Sequence, residues 1–337
     1  MLSEDAILLK DLKIVSERMG NNLDLIQANG GNTSIKIDDY IIVKGSGKEL
    51  ANANVENIFA KVFNRNKSST QNDQIKDIVE NKINEYEGVR PSIELDLHLL
   101  MPTKVVLHSH PIDLITLTLL SDGKERFNSL FKGLNWIWIN YCKPGKDLAD
   151  KVAASLENKK ADIIILQNHG LIVGANTPFE AEKIQTKLLK KIKLKSRRYS
   201  FKNSVQLKAI KDKFPNLIKI PKYDVIHSIA TDNWSLKLSQ KNAHCPDHAV
   251  FCGLKPPIIN NIKEDFYKLS EKHPYIILKN VGLILFKEST ALEALLRSQA
   301  EIFLKIPKNH AVSFLTDEQC MDLINWDAEK FRKRMVK

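Results

Sequence analysis

The sequence predicts an α/β or α+β protein of two domains, and three observations lead to this prediction. The chain has 337 residues, whereas a typical domain has about 100–200. Its composition, with 43% hydrophobic and 27% charged residues, is that of a folded globular protein. Short β-rich runs alternate irregularly with helical patterns through about residue 200. We therefore expect domains at 1–212 and 213–337, with the boundary in the proline-containing segment 211–224.

The first predicted elements are a helix, a hairpin and a second, short helix. Residues 4–19 carry apolar side chains at helical spacing, and two β-rich runs within 32–47 join at Asp38-Asp39. The polar segment 64–90 predicts a loop or a solvent-exposed helix. Ser92 is then placed to cap a short helix that ends at a proline.

The later elements are mostly strands followed by helices. Strands are predicted in 104–112 and 135–141, and the apolar run 161–174 predicts two strands that meet at a turn around Asn168. Thr177-Pro178 predicts a helix start, because proline is well tolerated in the first turn. The second domain repeats part of this pattern. Its predicted elements are a strand at 248–253, two strands in 275–286 and a helix at 289–303.

Several functional classes are disfavoured by composition. No apolar run approaches the roughly 20 residues of a membrane-spanning helix. Glu4 and Asp5 stand where a secretory signal has basic residues, and four cysteines in a chain of this length do not form a disulfide framework. We therefore expect a cytoplasmic protein with no membrane partner.

The formal net charge of +11 raises the alternative of nucleic-acid binding, with 183–202 as its strongest segment. The apolar residues there recur at near-helical spacing, so the lysines are better explained as the solvated face of a packed helix. We expect no nucleic-acid partner. A basic surface still favours anionic small molecules.

Two segments of the chain resemble each other. ILQNHGLIVGANTPFEA at 165–181 and ILKNVGLILFKESTALEA at 277–294 share an Asn, a Gly-Leu-Ile and a Glu-Ala, but Val281 replaces His169. The second segment also lacks a His-x-His sequence before it. We interpret it as a degenerate half-repeat without a metal site.

Histidines provide the candidate metal ligands. His108 and His110 lie two apart on a predicted strand, so both side chains project from the same face. His169 lies at a turn that would expose it. Each histidine alone is compatible with a structural role, but three ligands that leave an open position are what a catalytic zinc site requires.

Two further features lie close to these histidines in sequence. Glu94 is either a first-turn glutamate that complements a helix dipole or a carboxylate that transfers protons beside a metal. The glycine-rich turns at 30–34 and 45–47 either bind phosphate through backbone N–H groups or simply close tight hairpins. They do not form a nucleotide P-loop. That motif would require glycine at position 42 and Ser or Thr at position 49, where this sequence has Ile42 and Glu49.

The order of GGNTSIKI, VKGSG, PSIE, HSHP and NHGLIVG resembles the class II aldolase/adducin family over about residues 5–200. The wording of these motifs is most similar to the aldolase portion of bifunctional rhamnulose-phosphate aldolase/dehydrogenases. No glycine-rich dinucleotide fingerprint follows a strand, so we expect no dehydrogenase domain in these residues. The resemblance implies a three-layer αβα sandwich with a mixed or antiparallel central sheet, and a homo-oligomer, commonly a tetramer.

The resemblance also implies site residues and a reaction. His108, His110 and His169 would bind Zn²⁺ or another divalent cation, and Glu94 would be the catalytic acid/base. The residues implied to lie against the substrate phosphate are Gly31, Asn32, Ser46, Gly47 and Ser92. The implied reaction is retro-aldol cleavage of a ketose, often phosphorylated, through a metal-stabilised enediolate.

Departures from the family pattern leave other reactions open. Ile93 occupies the position of a second small polar residue beside Ser92, and no tyrosine lies between His110 and Trp136 to act as proton donor. Epimerisation, dehydration or decarboxylation of a sugar phosphate, and a non-catalytic adducin-like interaction role, are the alternatives. A structural zinc site in 244–252 is a further, weaker hypothesis, because the spacing matches no standard zinc motif.

Overall fold

The computed structural model describes residues 3–63, 85–262 and 266–335. The chain divides into two compact units. The first comprises Met1–Thr118, Asp122–Lys193 and Arg334–Val336, and the second Leu119–Ser121, Leu194–Lys333 and Lys337. The domain division at 212/213 stays a prediction, and the two units are described below by their own bounds.

The described part of the first unit is built from eight strands and six helices. The strands are β1 (Asn32–Ile37), β2 (Tyr40–Lys44), β3 (Phe59–Phe63), β4 (Glu85–Gly88), β5 (Val105–Ser109), β6 (Trp136–Ile139), β7 (Ile163–Leu166) and β8 (Gly170–Ala175). The helices are α1 (Glu4–Gly20), α2 (Leu95–Leu100), α3 (Ile112–Leu119), α4 (Gly123–Leu130), α5 (Lys146–Asn158) and α6 (Pro178–Ile192), with one short 3₁₀ turn at Leu50–Asn52.

The strands form one mixed sheet in the order β4-β3-β2-β1-β5-β8-β7-β6. Every neighbouring pair is antiparallel except β6 and β7. The pairing of the central strands β1, β5 and β8 positions the candidate site residues. Asn32 on β1 lies opposite His108 on β5, and His108 lies opposite Ile172 on β8. The predicted mixed central sheet is confirmed.

Helices cover both faces of this sheet. Alternate strand residues, including Val106, Ile164 and Ile172, share a buried apolar cluster with α2 and α5. Side chains two apart on a strand share a face, so the intervening residues project to the opposite side. There α1 and α6 pack on each other, and α6 also packs against β5 and β8. The first unit is a three-layer αβα sandwich.

Local sequence signals explain where several elements begin and end. Asp38 takes a positive φ of 41°, which lets the two-residue turn close the β1–β2 hairpin at the predicted place. Thr177 accepts a hydrogen bond from the Glu180 N–H and caps α6, while Pro178 occupies its first turn. Both predictions are confirmed.

The second unit combines a small sheet with mostly helical chain. Its elements are α7 (Ser204–Lys213), α8 (Ser228–Thr231), α9 (Asn233–Ser239), α10 (Pro246–Cys252), β9 (Ile258–Ile259), β10 (Tyr275–Leu278), β11 (Gly282–Leu285), α11 (Thr290–Lys305), α12 (Asp317–Asn325) and α13 (Asp327–Arg334), with 3₁₀ turns at Asp224–His227 and Phe266–Leu269. The sheet order is β11-β10-β9. The predicted strand pair and following helix of the half-repeat are confirmed as β10, β11 and α11.

The strand predicted at 248–253 is wrong, because α10 occupies this segment. Pro246 lies in the first helical turn, and all seven residues of α10 are buried. A fully buried helix shows no amphipathic periodicity, so a short apolar run cannot be distinguished from a buried strand by pattern alone.

Two other predictions need correction. Most of the polar segment 64–90 lies outside the described residues, but Glu85–Gly88 is strand β4 rather than loop or helix. The helix predicted through 183–202 ends at Ile192. Beyond it Arg197 pairs with Asp232 at 2.7 Å, so part of the basic segment forms interactions within the second unit. In the described residues, no helix combines the length and the apolar character that crossing a bilayer requires.

Candidate metal centre and active site

His108 and His110 are presented by the end of strand β5. His108 is fully buried and lies within the strand, and His110 follows its last residue and is 6% exposed. The His110 N–H donates to the carbonyl of Leu25 at 2.8 Å, which fixes the chain where it leaves the sheet. The two rings lie 4.9 Å apart between centroids, so the spacing of two on a strand places both at one location.

His169 reaches the same location from the tight turn between β7 and β8. Asn168 takes a positive φ of 57°, and the His169 N–H donates to the Leu166 carbonyl at 3.1 Å. The next residue must be glycine, because a Cβ on Gly170 would lie 2.3 Å from the Ser109 carbonyl oxygen. The close approach of β8 to β5 therefore brings His169 to the other two histidines.

The three imidazoles form a compact ligand set. One ligand atom from each of His108, His110 and His169 lies within 4.8 Å of the others. The Nδ1–H of His108 donates to the Leu171 carbonyl at 3.0 Å, which leaves Nε2 with its lone pair toward the centre. Burial lowers the pKa of His108 to about 3, so this ring is neutral near pH 7, which is the state that binds metal.

Glu94 lies directly beside the histidines at the start of α2. Its Oε1 is 3.2 Å from Nε2 of His169, and its Oε2 is 3.4 Å from Nε2 of His108. Burial raises the pKa of Glu94, but the nearby imidazoles of His108, His169 and His110 lower it and prevail, so it lies well below its ordinary value. Both oxygens of Glu94 therefore face the group of imidazoles in a buried position.

These residues fit a divalent cation. Three imidazole nitrogens are a donor set for Zn²⁺, and three protein ligands leave a further position open as in a catalytic site. Among the described residues, no other set of three His, Cys, Asp or Glu side chains brings its ligand atoms together in this way. The weaker zinc hypothesis for 244–252 therefore gains no support, although the rings of His244 and His248 lie 4.7 Å apart.

Three of the predicted phosphate-binding residues lie beside this centre. Gly31 takes a positive φ of 60°, and a Cβ there would lie 2.8 Å from the His108 carbonyl oxygen. Asn32 donates from Nδ2 to Glu94 Oε2 at 2.8 Å and to Ser92 Oγ at 3.2 Å. Gly31 thus lies against the backbone of His108, while Asn32 and Ser92 form one hydrogen-bonded group with Glu94.

The other two predicted residues lie in the adjacent turn at 45–47. The Ser46 N–H donates to the Arg90 carbonyl at 2.8 Å, and the Ser92 N–H donates to the Lys44 carbonyl at 3.1 Å. Gly47 has a positive φ of 76°. The turn therefore runs alongside the segment that carries Ser92.

Sequence reasoning missed two residues that shape the site. Lys44 is 3% exposed, and its Nζ donates to the carbonyls of Asn29 at 2.7 Å and Lys48 at 2.8 Å, which ties the two glycine-rich turns together. His98 bonds to Asn32 from α2. The position of Lys44 within VKGSG and the spacing of four between Glu94 and His98 were the available signals.

The chain belongs to a known family. The sequence model described as "Class II Aldolase and Adducin N-terminal domain" matches residues 14–189, which is just over half of the chain. The match includes every predicted site residue and leaves most of the second unit uncovered. The resemblance inferred from the five motifs is confirmed.

A curated relative matches half of the chain. It is a protein of Bacillus subtilis (strain 168) named "Uncharacterized oxidoreductase YuxG", 27% identical over 184 residues. The match covers 50% of this chain but only 27% of the length of the relative. The oxidoreductase name therefore describes a much longer protein.

Solved structures resemble the chain over a little more than half its length. The N-terminal class II aldolase domain of a conserved protein from Thermoplasma acidophilum is 23% identical, with a TM-score of 0.45, covering 57% of this chain and 93% of the other. A sugar-phosphate aldolase from Thermotoga maritima is 17% identical, with a TM-score of 0.45 and coverages of 56% and 94%. An L-fuculose-1-phosphate aldolase from Thermus thermophilus is 18% identical, with a TM-score of 0.39 and coverages of 56% and 93%.

Proposed function

We propose that the protein is a metal-dependent aldolase-type lyase that cleaves a ketose, often phosphorylated, by retro-aldol chemistry. One observation carries the proposal: a carboxylate, Glu94, lies 3.2–3.4 Å from two histidines of a buried three-imidazole group. A purely structural role would not need a charged carboxylate and three imidazoles buried together, since burying charge is costly unless it is compensated.

The cation of this proposal is Zn²⁺, which imidazole ligands favour over Mg²⁺ or Ca²⁺. His108, His110 and His169 would hold it. When bound, a divalent cation supplies the positive charge that stabilises the enediolate left by C–C cleavage. Glu94 remains free for proton transfer because the histidines alone provide three ligands.

The residues of the chain perform the remaining tasks. The side chains of Asn32, Ser46 and Ser92, with the backbone at Gly31 and Gly47, would hold the phosphate or another anionic group of the ketose. Cleavage of the C3–C4 bond leaves an electron pair on C3 and converts the C4 hydroxyl into an aldehyde, and the hydroxyl proton would pass, directly or through water, to the ionised carboxylate of Glu94. Glu94 would then deliver that proton to C3, from a position that burial shields from bulk water.

Other reactions of sugar phosphates remain as a second proposal. The absence of tyrosine between His110 and Trp136, and Ile93 in place of a second polar residue, favour considering an epimerase, dehydratase or decarboxylase that uses the same enediolate chemistry. An adducin-like interaction protein is less well supported, because such a role would not require all three imidazoles and Glu94. We also propose a cytoplasmic homo-oligomer.

The test is a product assay with matched variants. Purified protein without a histidine tag is supplied with zinc and incubated with a panel of ketose 1-phosphates, and aldehyde release is measured. We expect release from at least one ketose in the wild type, loss of release with bound metal retained in Glu94→Gln, and unchanged release in the control His273→Ala, which lies in the second unit. Full activity of Glu94→Gln would overturn the proposed role of this carboxylate.

A further inference from the structure

His98 is a buried histidine that lies outside the group of three imidazoles and contacts Asn32. It lies on α2, four residues after Glu94, and is 1% exposed. Its Nδ1 is 2.7 Å from the Ser34 hydroxyl, and its Nε2 hydrogen-bonds to Asn32 Oδ1. A continuous chain of hydrogen bonds therefore runs from Ser34 through His98 and Asn32 to Glu94.

Donation from Asn32 Nδ2 to the carboxylate of Glu94 gives one consistent set of directions for the other hydrogen bonds in this chain. Burial lowers the pKa of His98 to about 3, so its ring is neutral near pH 7 and carries one N–H. Because the Asn32 carbonyl oxygen can only accept, the proton is on Nε2 of His98, and Nδ1 accepts from the Ser34 hydroxyl. The amide of Asn32 consequently turns its Nδ2 toward the carboxylate of Glu94.

The opposite orientation of Asn32 would place two acceptors against each other. Its carbonyl oxygen would face Glu94 Oε2, which now accepts from Nδ2 at 2.8 Å, and its NH₂ group would face the N–H of His98. An amide side chain rotates between these two orientations readily, since its terminal torsion is broad and roughly two-fold. With its proton on Nε2, His98 therefore stabilises the orientation of Asn32 that holds the carboxylate.

We propose that His98 is a positioning residue that acts through Asn32 to hold the carboxylate of Glu94 at the candidate metal centre. The Oε2 atom is fixed by the Asn32 amide, and the buried Oε1 faces Nε2 of His169 at 3.2 Å. The two oxygens of this carboxylate thus have different surroundings: Oε2 is held by the Asn32 amide, and Oε1 faces the group of three imidazoles. The inference rests on the proposed function of Glu94.

Two substitutions at the same position separate the hydrogen bond from packing. In His98→Gln the amide nitrogen of glutamine can occupy the place of Nε2 and donate to Asn32, whereas in His98→Asn the shorter side chain cannot reach it. We expect His98→Asn to lower kcat by about 10- to 100-fold with KM within about threefold and metal content unchanged. His98→Gln should recover most of kcat. His227→Gln, which alters a buried histidine of the second unit, is the control with unchanged kcat.

Equal kcat in wild type and His98→Asn, or equal losses in His98→Asn and His98→Gln, would overturn the inference. If His98→Asn does not fold, Ser34→Ala removes the partner of Nδ1 without changing α2, and it should lower kcat in the same direction with metal retained.

A structural readout keeps this test separate from the proposed reaction. A crystal structure of His98→Asn or Ser34→Ala should show the Asn32 amide turned or displaced from Glu94, whether or not the protein cleaves a ketose. If Asn32 and Glu94 keep their places, His98 has no positioning role. If they move but no ketose is cleaved by the wild type, the proposed aldolase reaction fails and the positioning role stands.

Discussion

Segments 163–192 and 275–305 adopt the same sequence of elements but carry different chemistry. Each has two antiparallel strands, a tight turn with an asparagine at positive φ, a glycine at the start of the second strand, and a helix capped by a hydroxyl side chain. The φ angles are 57° for Asn168 and 62° for Asn280. The strand–turn–strand–helix arrangement therefore forms whether or not the turn carries a histidine.

The two segments differ in the elements that lie next to their strands. Strand β8 pairs with β5, which carries His108 and leads into His110, so the turn histidine completes a group of three. Strand β11 ends its sheet in the described part of the chain, and the space beside Gly282 is occupied by His227. Nδ1 of His227 accepts from the Leu283 N–H, and its ring stacks on Phe201. A ligand set thus requires a particular neighbouring strand and cannot be supplied by the turn alone.

Exchanging the two turn residues should give the largest effect. His169→Val should lose bound metal and at least about 10³-fold in kcat/KM, because the site loses a ligand and the cation that stabilises developing charge. Val281→His should gain no metal, since no His-x-His strand lies beside it. Elemental analysis of both variants and of the double exchange measures this directly. A second equivalent of metal in Val281→His would show that the turn itself provides the site.

Glu94→Gln should have the next largest effect. The amide keeps the shape of the side chain but cannot transfer a proton, so we expect kcat to fall about 10²–10⁴-fold while one metal per chain is retained. Steady-state kinetics combined with elemental analysis separates these outcomes. Loss of metal in this variant would mean that Glu94 is a ligand, which would contradict its assignment as the acid/base.

Alanine at the two turn glycines should destabilise the units unequally. A Cβ on Gly170 would lie 2.3 Å from a backbone carbonyl, which cannot easily move, whereas on Gly282 it would lie 2.6 Å and 2.8 Å from side-chain atoms. We expect Gly170→Ala to reach or exceed the upper end of the roughly 1–3 kcal/mol typical of overpacking, and Gly282→Ala to fall near the lower end. Urea unfolding compares the two. The opposite ranking would show that the β5–β8 contact is more adaptable than its geometry indicates.

The smallest effect concerns pH and the second unit. Burial lowers the pKa of His227 to about 4 from its ordinary 6.5. The imidazole ring therefore binds a proton more tightly in the unfolded state than in the folded state. Its contribution to stability is present above pH 6.5 and is lost as the pH falls to about 4. His227→Asn keeps an acceptor at the place of Nδ1 for the Leu283 N–H and removes the titration, so the dependence of unfolding free energy on pH should become shallower, by at most about 1.4 kcal/mol per pH unit. An unchanged slope would place the titration elsewhere.

The alternation of side chains along a strand and the order of the sequence motifs predicted much of the candidate site. His108 and His110 had to share a face because they lie two apart on a strand, and Asn168-His169-Gly170 had to form a turn because it interrupts two apolar strands. Gly31 and Ser92 were singled out by the family motifs. Whether these residues bind the proposed metal and phosphate remains a prediction.

Features that depend on distant pairings could not be predicted. His98 meets Asn32 across 66 residues, and only the packing of α2 beside β1 makes that contact. The spacing of four between Glu94 and His98 indicates that the two lie close together on a helix, but it does not identify Asn32 as the partner of His98. The same limit applies to α10, where complete burial removes the periodicity that would identify a helix. The boundary between the two compact units near residue 193 is a further example, because no proline or glycine cluster marks it in the sequence.

The most direct test of the central claim is the metal content per chain of the wild-type protein, purified without affinity histidines and analysed before and after zinc is supplied. The three-imidazole site predicts one divalent ion per chain, bound tightly enough to survive gel filtration. No ion after zinc is supplied would contradict the metal centre and the aldolase proposal built on it.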